Sequence, residues 1–252
     1  MISLYTGTPG SGKSYHATER IDINLKQGVN VICNYKIKTN RSHRGDFVYL
    51  DNNNFSVKYL VEYAIDNHDL DGDKPKEHQT LIVVDEAAVV FPSKDYDKKL
   101  FRLWMVFLRL HRQLGYDIIL ITQRDKDVHA DVLGLVEYNY KHRKLTSYGV
   151  KGWLLVFIFR KRFISVKYWY VINEKVDEYF FDIRKSITKL YDTFGMAKQL
   201  LSDVQLMIEA LEDSNGSAFN VAELNKRIKN KEYDERNESE ARSVQKESES
   251  SA

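Results

Sequence analysis

The sequence predicts an α/β fold with a mostly parallel sheet flanked by helices, an added β-hairpin or meander, and a C-terminal helical region. Three observations predict it. An apolar opening, Ile2-Ser3-Leu4-Tyr5, runs straight into a glycine-rich loop and then a helix-forming stretch. Two further apolar runs, Leu81-Ile82-Val83-Val84 and Ile118-Ile119-Leu120-Ile121, have the length of buried parallel strands and end in polar residues. Helical patterns separate them, and strands alternating with helices build a parallel sheet.

The loop at 7–14, Gly7-Thr8-Pro9-Gly10-Ser11-Gly12-Lys13-Ser14, fits the G-x-x-x-x-G-K-[ST] phosphate loop without a mismatch. Its glycines let successive backbone N–H groups turn inward around an anion, and the helix that starts near Lys13 presents its positive end to the same place. A nucleoside triphosphate is the expected ligand, ATP or GTP, since such a loop reads phosphates and not the base. Lys13 is placed to reach the β/γ-phosphates, Ser14 to hold Mg²⁺, and Tyr15 follows in the first turn of the helix.

The helix from Lys13 to Lys26 is closed by Gly28. Strands are expected at 29–37 and at 47–50, and a helix near Phe55 to Asp66 leads into the polar stretch Asn67 to Gln79. That stretch holds Asp69, Asp71, Gly72 and Asp73, but an EF-hand register puts His78 where the bidentate Glu belongs. It is read as a solvated surface loop.

The strand at 81–84 delivers Asp85 and Glu86. An Asp at the carboxyl end of such a strand can hold the Mg²⁺ shell, and the following Glu is placed to deprotonate an attacking water. Glu86 is therefore the candidate general base. Asp117 to Gln123 forms the third strand of the set and would present Gln123 beside the γ-phosphate as a sensor.

The stretch from about Asp95 to Leu114, stopped by Gly115, reads as a helix that is apolar nearly all round, hence deeply buried or part of a subunit contact. Arg109, His111 and Arg112 in its last turns either complement the helix dipole or offer a finger in trans to a neighbour's nucleotide.

Tyr138 to Tyr148 and Trp153 to Tyr170, rich in β-branched and aromatic residues, predict the hairpin or meander. Eight Lys or Arg and no acidic residue fall between Lys141 and Lys167, around the apolar run Trp153 to Phe159. Three uses of this region stay open: a strand packed on the domain with solvated charges, an element laid on anionic lipid, or a nucleic-acid contact. The seven residues of that run are the longest apolar stretch, so no membrane-spanning helix is expected. Nor is a targeting segment, because Met1 to Tyr5 is needed as a core strand.

A helical region is expected from about Lys175 to Leu211, with an aromatic stripe of Tyr179, Phe180, Phe181 and Tyr191. The charged, Ser- and Glu-rich end reads as disorder. The domain organisation expected is 1–195 as one nucleotide-binding domain including the basic aromatic region 138–172, 196–229 as a helical extension, and 230–252 as a disordered charged tail. The single cysteine, Cys33, is expected to be a buried small residue. A formal charge of +2 is too small to imply nucleic acid by itself.

GTPGSGKS at 7–14, VVDEAAVVFPSK at 83–94, LRLHRQLGYDIILITQ at 108–123 and KLYDTFG at 189–195 together resemble the zonula occludens toxin family of ATPases, which includes the filamentous-phage gene I assembly proteins, and its FtsK/HerA-like relatives. The resemblance implies a RecA-like P-loop NTPase core of the ASCE class with an extra strand between the Walker motifs, and a ring-forming homo-oligomer. It implies a role in assembling and extruding filamentous phage, with phage coat or assembly proteins as partners. It places Lys13, Ser14, Asp85, Glu86 and Gln123 in the roles argued above and makes Arg109 or Arg112 the intersubunit finger. Work in the host cytoplasm follows, with peripheral attachment to the cytoplasmic face of the host membrane through the basic aromatic stretch as a hypothesis. The second reading is an FtsK/HerA-type motor that translocates or packages DNA, with phage DNA as partner.

Overall fold

The computed structural model describes residues 1–52, 54–70, 76–94 and 96–190. The chain divides into units 1–192 and 193–252. The expected helical extension, the charged tail and Tyr191 lie outside the described residues.

In chain order the elements are β1 (Ile2–Thr6), α1 (Lys13–Gln27), β2 (Asn30–Cys33), β3 (Phe47–Tyr49), α2 (Val57–Asn67), β4 (Thr80–Val84), α3 (Ala87–Val90), α4 (Lys98–Leu110), β5 (Tyr116–Ile121), α5 (Ala130–Leu133), β6 (Tyr138–Lys144), α6 (Gly149–Phe159), β7 (Phe163–Trp169), β8 (Glu174–Phe181) and α7 (Lys185–Thr188). The strands make one sheet in the order β3-β2-β4-β5-β1-β6-β7-β8. From β3 to β6 every pairing is parallel, and β7 and β8 close the far edge as an antiparallel hairpin. The expected α/β architecture is present, with β5 inserted between the phosphate-loop strand β1 and the strand β4 that carries Asp85.

Side chains alternate across the sheet, so each central strand feeds two cores. Ile2, Leu4, Ile82, Val84, Ile118 and Leu120 face α2 and α4, where Leu60, Trp104 and Leu108 meet them. Tyr5, Val31, Cys33, Leu81, Val83, Ile119 and Ile121 face α1 and pack on Ala17, Ile21 and Leu25. Burial of Cys33 pushes its thiol pKa well up, as a structural cysteine requires.

Four expectations are corrected. The strand expected at 29–37 stops at Cys33, and its next residue turns toward the site. The helix expected from about Asp95 to Leu114 spans only Lys98–Leu110; it is apolar on two sides, with Phe101, Trp104, Met105, Phe107 and Leu108 buried and Leu100, Leu103, Val106 and Leu110 exposed. The apolar run Trp153 to Phe159 is helix α6 rather than a strand. The reason is register: Lys144 pairs directly with Phe163, and Leu145 N–H donates to the Arg162 carbonyl at 2.8 Å, so residues 145–162 leave the sheet as one excursion. Outside the sheet only a helix satisfies the backbone of such a run internally. Finally, Glu174 to Phe181 is strand β8 rather than helix, paired along β7 with an irregularity at Lys167 and Tyr168.

Candidate active site

All the strands from β3 to β6 end on the same edge, and the candidate residues gather there. Gly7 (φ 146°), Gly10 (φ 70°) and Gly12 (φ 93°) carry the loop through conformations that cost other residues dearly. Gly7 also has no room for a side chain: a Cβ would lie 2.4 Å from the His142 carbonyl oxygen and 2.7 Å from Ser11 Oγ. Ser11 N–H donates to the Thr8 carbonyl at 3.1 Å, closing the loop on itself. The buried Ser11 hydroxyl has no partner among the described residues and can serve a phosphate oxygen. Lys13 Nζ donates to the carbonyls of Gly7 (2.7 Å) and Thr8 (3.2 Å), lying across the mouth of the loop. Burial lowers its pKa, against the raising influence of Asp85 and Glu86.

The two motifs meet through one contact. Ser14 Oγ donates to Asp85 Oδ2 at 3.1 Å, and the other carboxylate oxygen accepts the Glu86 N–H at 2.9 Å. Burial raises the Asp85 pKa, and these hydrogen bonds oppose it. A hydroxyl beside a carboxylate is the hard-oxygen donor set that Mg²⁺ takes, so Ser14 and Asp85 fit the ion. Glu86 is exposed and left-handed (φ 49°, ψ 52°), which turns the chain sharply between β4 and α3. Gln123 follows β5, and its carbonyl accepts the Gly7 N–H at 3.4 Å, so the intervening strand delivers it beside the loop. Next to Gly7 and Thr8, a cavity of about 490 Å³ is lined by Gln123, Arg124, Lys141, Arg143 and Lys144 among others.

Arg109 and Arg112 are not brought to this edge. They sit where α4 hands over to the start of β5, at the opposite end of the strands, and Arg112 pairs with Glu137 (3.3 Å) and Glu77 (3.6 Å). Neither serves the loop of its own chain.

Three supports have no motif to announce them. Asn34, just past β2, clamps the backbone of Asp85. Phe181 and Phe163 cover Gly12, where a Cβ would meet their rings at 3.0 and 3.2 Å, and Phe181 stacks on Tyr15 at 5.8 Å. The third is a buried histidine pair: His16 on α1 and His142 on β6 are 2.8 Å apart. His142 Nδ1 must donate, because its partner at 2.9 Å is the Tyr140 carbonyl; its Nε2 therefore accepts from His16 Nδ1–H. Both rings are neutral, burial holding both pKa values down.

A phosphate loop, an acidic strand end hydrogen-bonded to its Ser, and a polar strand end between them define a P-loop NTPase. The profile of the family described as zonular occludens toxin (Zot) matches residues 1–198. The chain belongs to the zonular occludens toxin family. ORF301 of Pseudomonas phage Pf3, a candidate assembly protein, is 29% identical over 158 residues; the match takes in 61% of this chain and only 47% of that protein, so the chain spans about half the relative's length. The N-terminal domain of zonular occludens toxin from Neisseria meningitidis has the same fold, with a TM-score of 0.50 and 19% identity over 76% of this chain and 98% of that one. The genome packaging NTPase of Sulfolobus turreted icosahedral virus 2, solved with ATP-γS, superposes with a TM-score of 0.45 and 18% identity over 69% of this chain and 94% of the other.

Proposed function

We propose that this chain hydrolyses Mg·ATP to drive the assembly and extrusion of filamentous phage at the host cytoplasmic membrane. The observation that carries hydrolysis is the Ser14–Asp85 contact at 3.1 Å, which joins the two motifs with Glu86 next in line. Mg²⁺ held by Ser14 and Asp85 would neutralise charge on the phosphates. Lys13 exchanges its two carbonyls for β/γ-phosphate oxygens, and the loop N–H groups and Ser11 hydroxyl complete the cradle. Glu86 accepts the proton of the attacking water as it displaces ADP from the γ-phosphorus, and Gln123 orients to the γ-phosphate.

Phage assembly is supported by family membership and by the Pf3 relative; coat or assembly proteins are the cargo this reading implies. The exposed stripe of α4 supports assembly into a ring, and a ring would let Arg109 or Arg112 serve a neighbour's site. A DNA-translocating or packaging motor is the second reading, favoured by the cationic cavity beside the loop. Turnover by the purified chain, measured against its own concentration with and without DNA and anionic vesicles, tests both. A steep rise with concentration supports sites completed by neighbours, and salt-sensitive stimulation by DNA selects the second reading. Absence of Mg·ATP binding overturns the proposal.

A further inference from the structure

We infer that α6 is an interfacial helix that lies flat in the headgroup layer of an anionic membrane. On its described face Trp153, Leu154, Phe157 and Ile158 are 66%, 59%, 82% and 60% exposed. Positions i, i+1, i+4 and i+5 fall on one side of a helix, so these four side chains make one continuous apolar stripe turned to solvent. Soluble surfaces seldom leave such a stripe uncovered.

Charge identifies the occupant. Lys144 precedes the helix, Arg160, Lys161 and Arg162 follow it, and all four are exposed. Arg162 is paired with Asp182 (2.7 Å), leaving Lys144, Arg160 and Lys161 to frame the stripe. No acidic residue occurs from 141 to 167. An apolar helix flanked by cations matches a leaflet whose acyl chains are apolar and whose headgroups are anionic, and tryptophan favours that boundary. The helix has 11 residues, and among the described residues no helix is long and apolar enough to cross a membrane, so it lies in the plane instead. Both ends of the excursion return to the sheet at Leu145 and Arg162, next to β6 and β7, so the docked helix would be tied to the edge that carries the phosphate loop.

This surface rests on the proposed work at a membrane for its setting only; its test does not depend on hydrolysis. The full chain is sedimented with vesicles of phosphatidylcholine alone or mixed with phosphatidylglycerol, and lipid-free ATP turnover is measured on the same preparations. Binding to the anionic vesicles alone, weakened by salt, is expected. Phe157→Ser with Ile158→Ser should weaken it at least about tenfold. Arg160→Gln with Lys161→Gln should weaken it about fivefold for each charge removed. Lipid-free turnover equal to the wild type shows that the variants are folded. Wild-type chain that stays in the supernatant overturns the inference, as does anionic-vesicle binding indifferent to the Phe157 and Ile158 changes. Lipid-free self-association that those changes abolish, with no vesicle binding, assigns the stripe to a second copy and overturns it too. Loss of turnover in the wild type would refute the motor and leave the vesicle result standing.

Discussion

Asn34 holds Asp85 by both of its backbone polar atoms. Its Nδ2 donates to the Asp85 carbonyl at 2.8 Å, and the Asp85 N–H donates to its Oδ1 at 2.6 Å. The same Nδ2 reaches Asn52 Oδ1 at 2.8 Å. The turn that aims Asp85 and Glu86 is thus fixed from β2 rather than from its own strand. Asn34→Ala leaves two partly buried backbone groups unpaired, at a cost of about 1–3 kcal/mol. Turnover should fall at least about tenfold, while nucleotide affinity stays within about threefold, because the phosphate loop is untouched. Steady-state kinetics beside nucleotide titration would check it; equal losses in both would mean general unfolding.

Glu86 carries strain for the sake of its position. A non-glycine residue in the left-handed region costs about 1–2 kcal/mol, and Glu86 (φ 49°, ψ 52°) has no side-chain capping bond in return. Glu86→Gly should therefore be more stable than Glu86→Ala by about 1 kcal/mol, with both lacking turnover. Glu86→Gln should bind Mg·ATP and not cleave it. Thermal denaturation with single-turnover assays separates the two effects; unchanged cleavage by the Gln variant would remove Glu86 as the base.

The residues legible in the sequence are those whose role is set by their neighbours in the chain. The loop at 7–14, the strand ending in Asp85 and Glu86, and the strand ending before Gln123 each encode their geometry within a few residues. Asn34 does not, because its partner is 51 residues away and Val31-Ile32-Cys33-Asn34-Tyr35 reads as continuing strand. Trp153 to Phe159 and Tyr179 to Phe181 failed for a different reason. A short apolar run has no resolvable period, and only the pairing of Lys144 with Phe163 and of Phe163 with Phe181 decides which segment joins the sheet.

Gly7 is closed to any side chain. The Cβ of Gly7→Ala would meet a main-chain oxygen, that of His142, at 2.4 Å, and β1 and β6 are paired there along Tyr5–Tyr140 and Thr6–Lys141. Relief requires moving either the loop or the edge of the sheet. The substitution should abolish Mg·ATP binding and cost about 1–3 kcal/mol of stability. Gly10→Ala is the contrast, since nothing lies within 4 Å of its Cβ and only its φ of 70° opposes it, at about 1 kcal/mol. Calorimetric titration of both variants would reveal the difference; equal affinities would show that the loop yields more easily than the close contact implies.

Acid should loosen the floor of the site. Burial holds the His142 pKa down at about 4, from an ordinary 6.5, and lowers that of His16 as well. As pH falls below 6.5 the unfolded chain takes up the proton and the folded chain does not, so stability present above that pH is lost down to about 4, where the folded ring is protonated too. From pH 7 to 5 this one ring accounts for a loss of roughly 2 kcal/mol. Half-buried His68 and His111, also lowered, act in the same direction. Protonation of either partner adds a charge to a pair that joins α1 to β6 through one N–H···N bond, beside the carbonyl that abuts Gly7. His142→Gln keeps an acceptor for His16 and removes the titrating ring. Its urea midpoint should start lower at pH 7 and fall less on acidification than that of the wild type; parallel curves would place the acid sensitivity elsewhere.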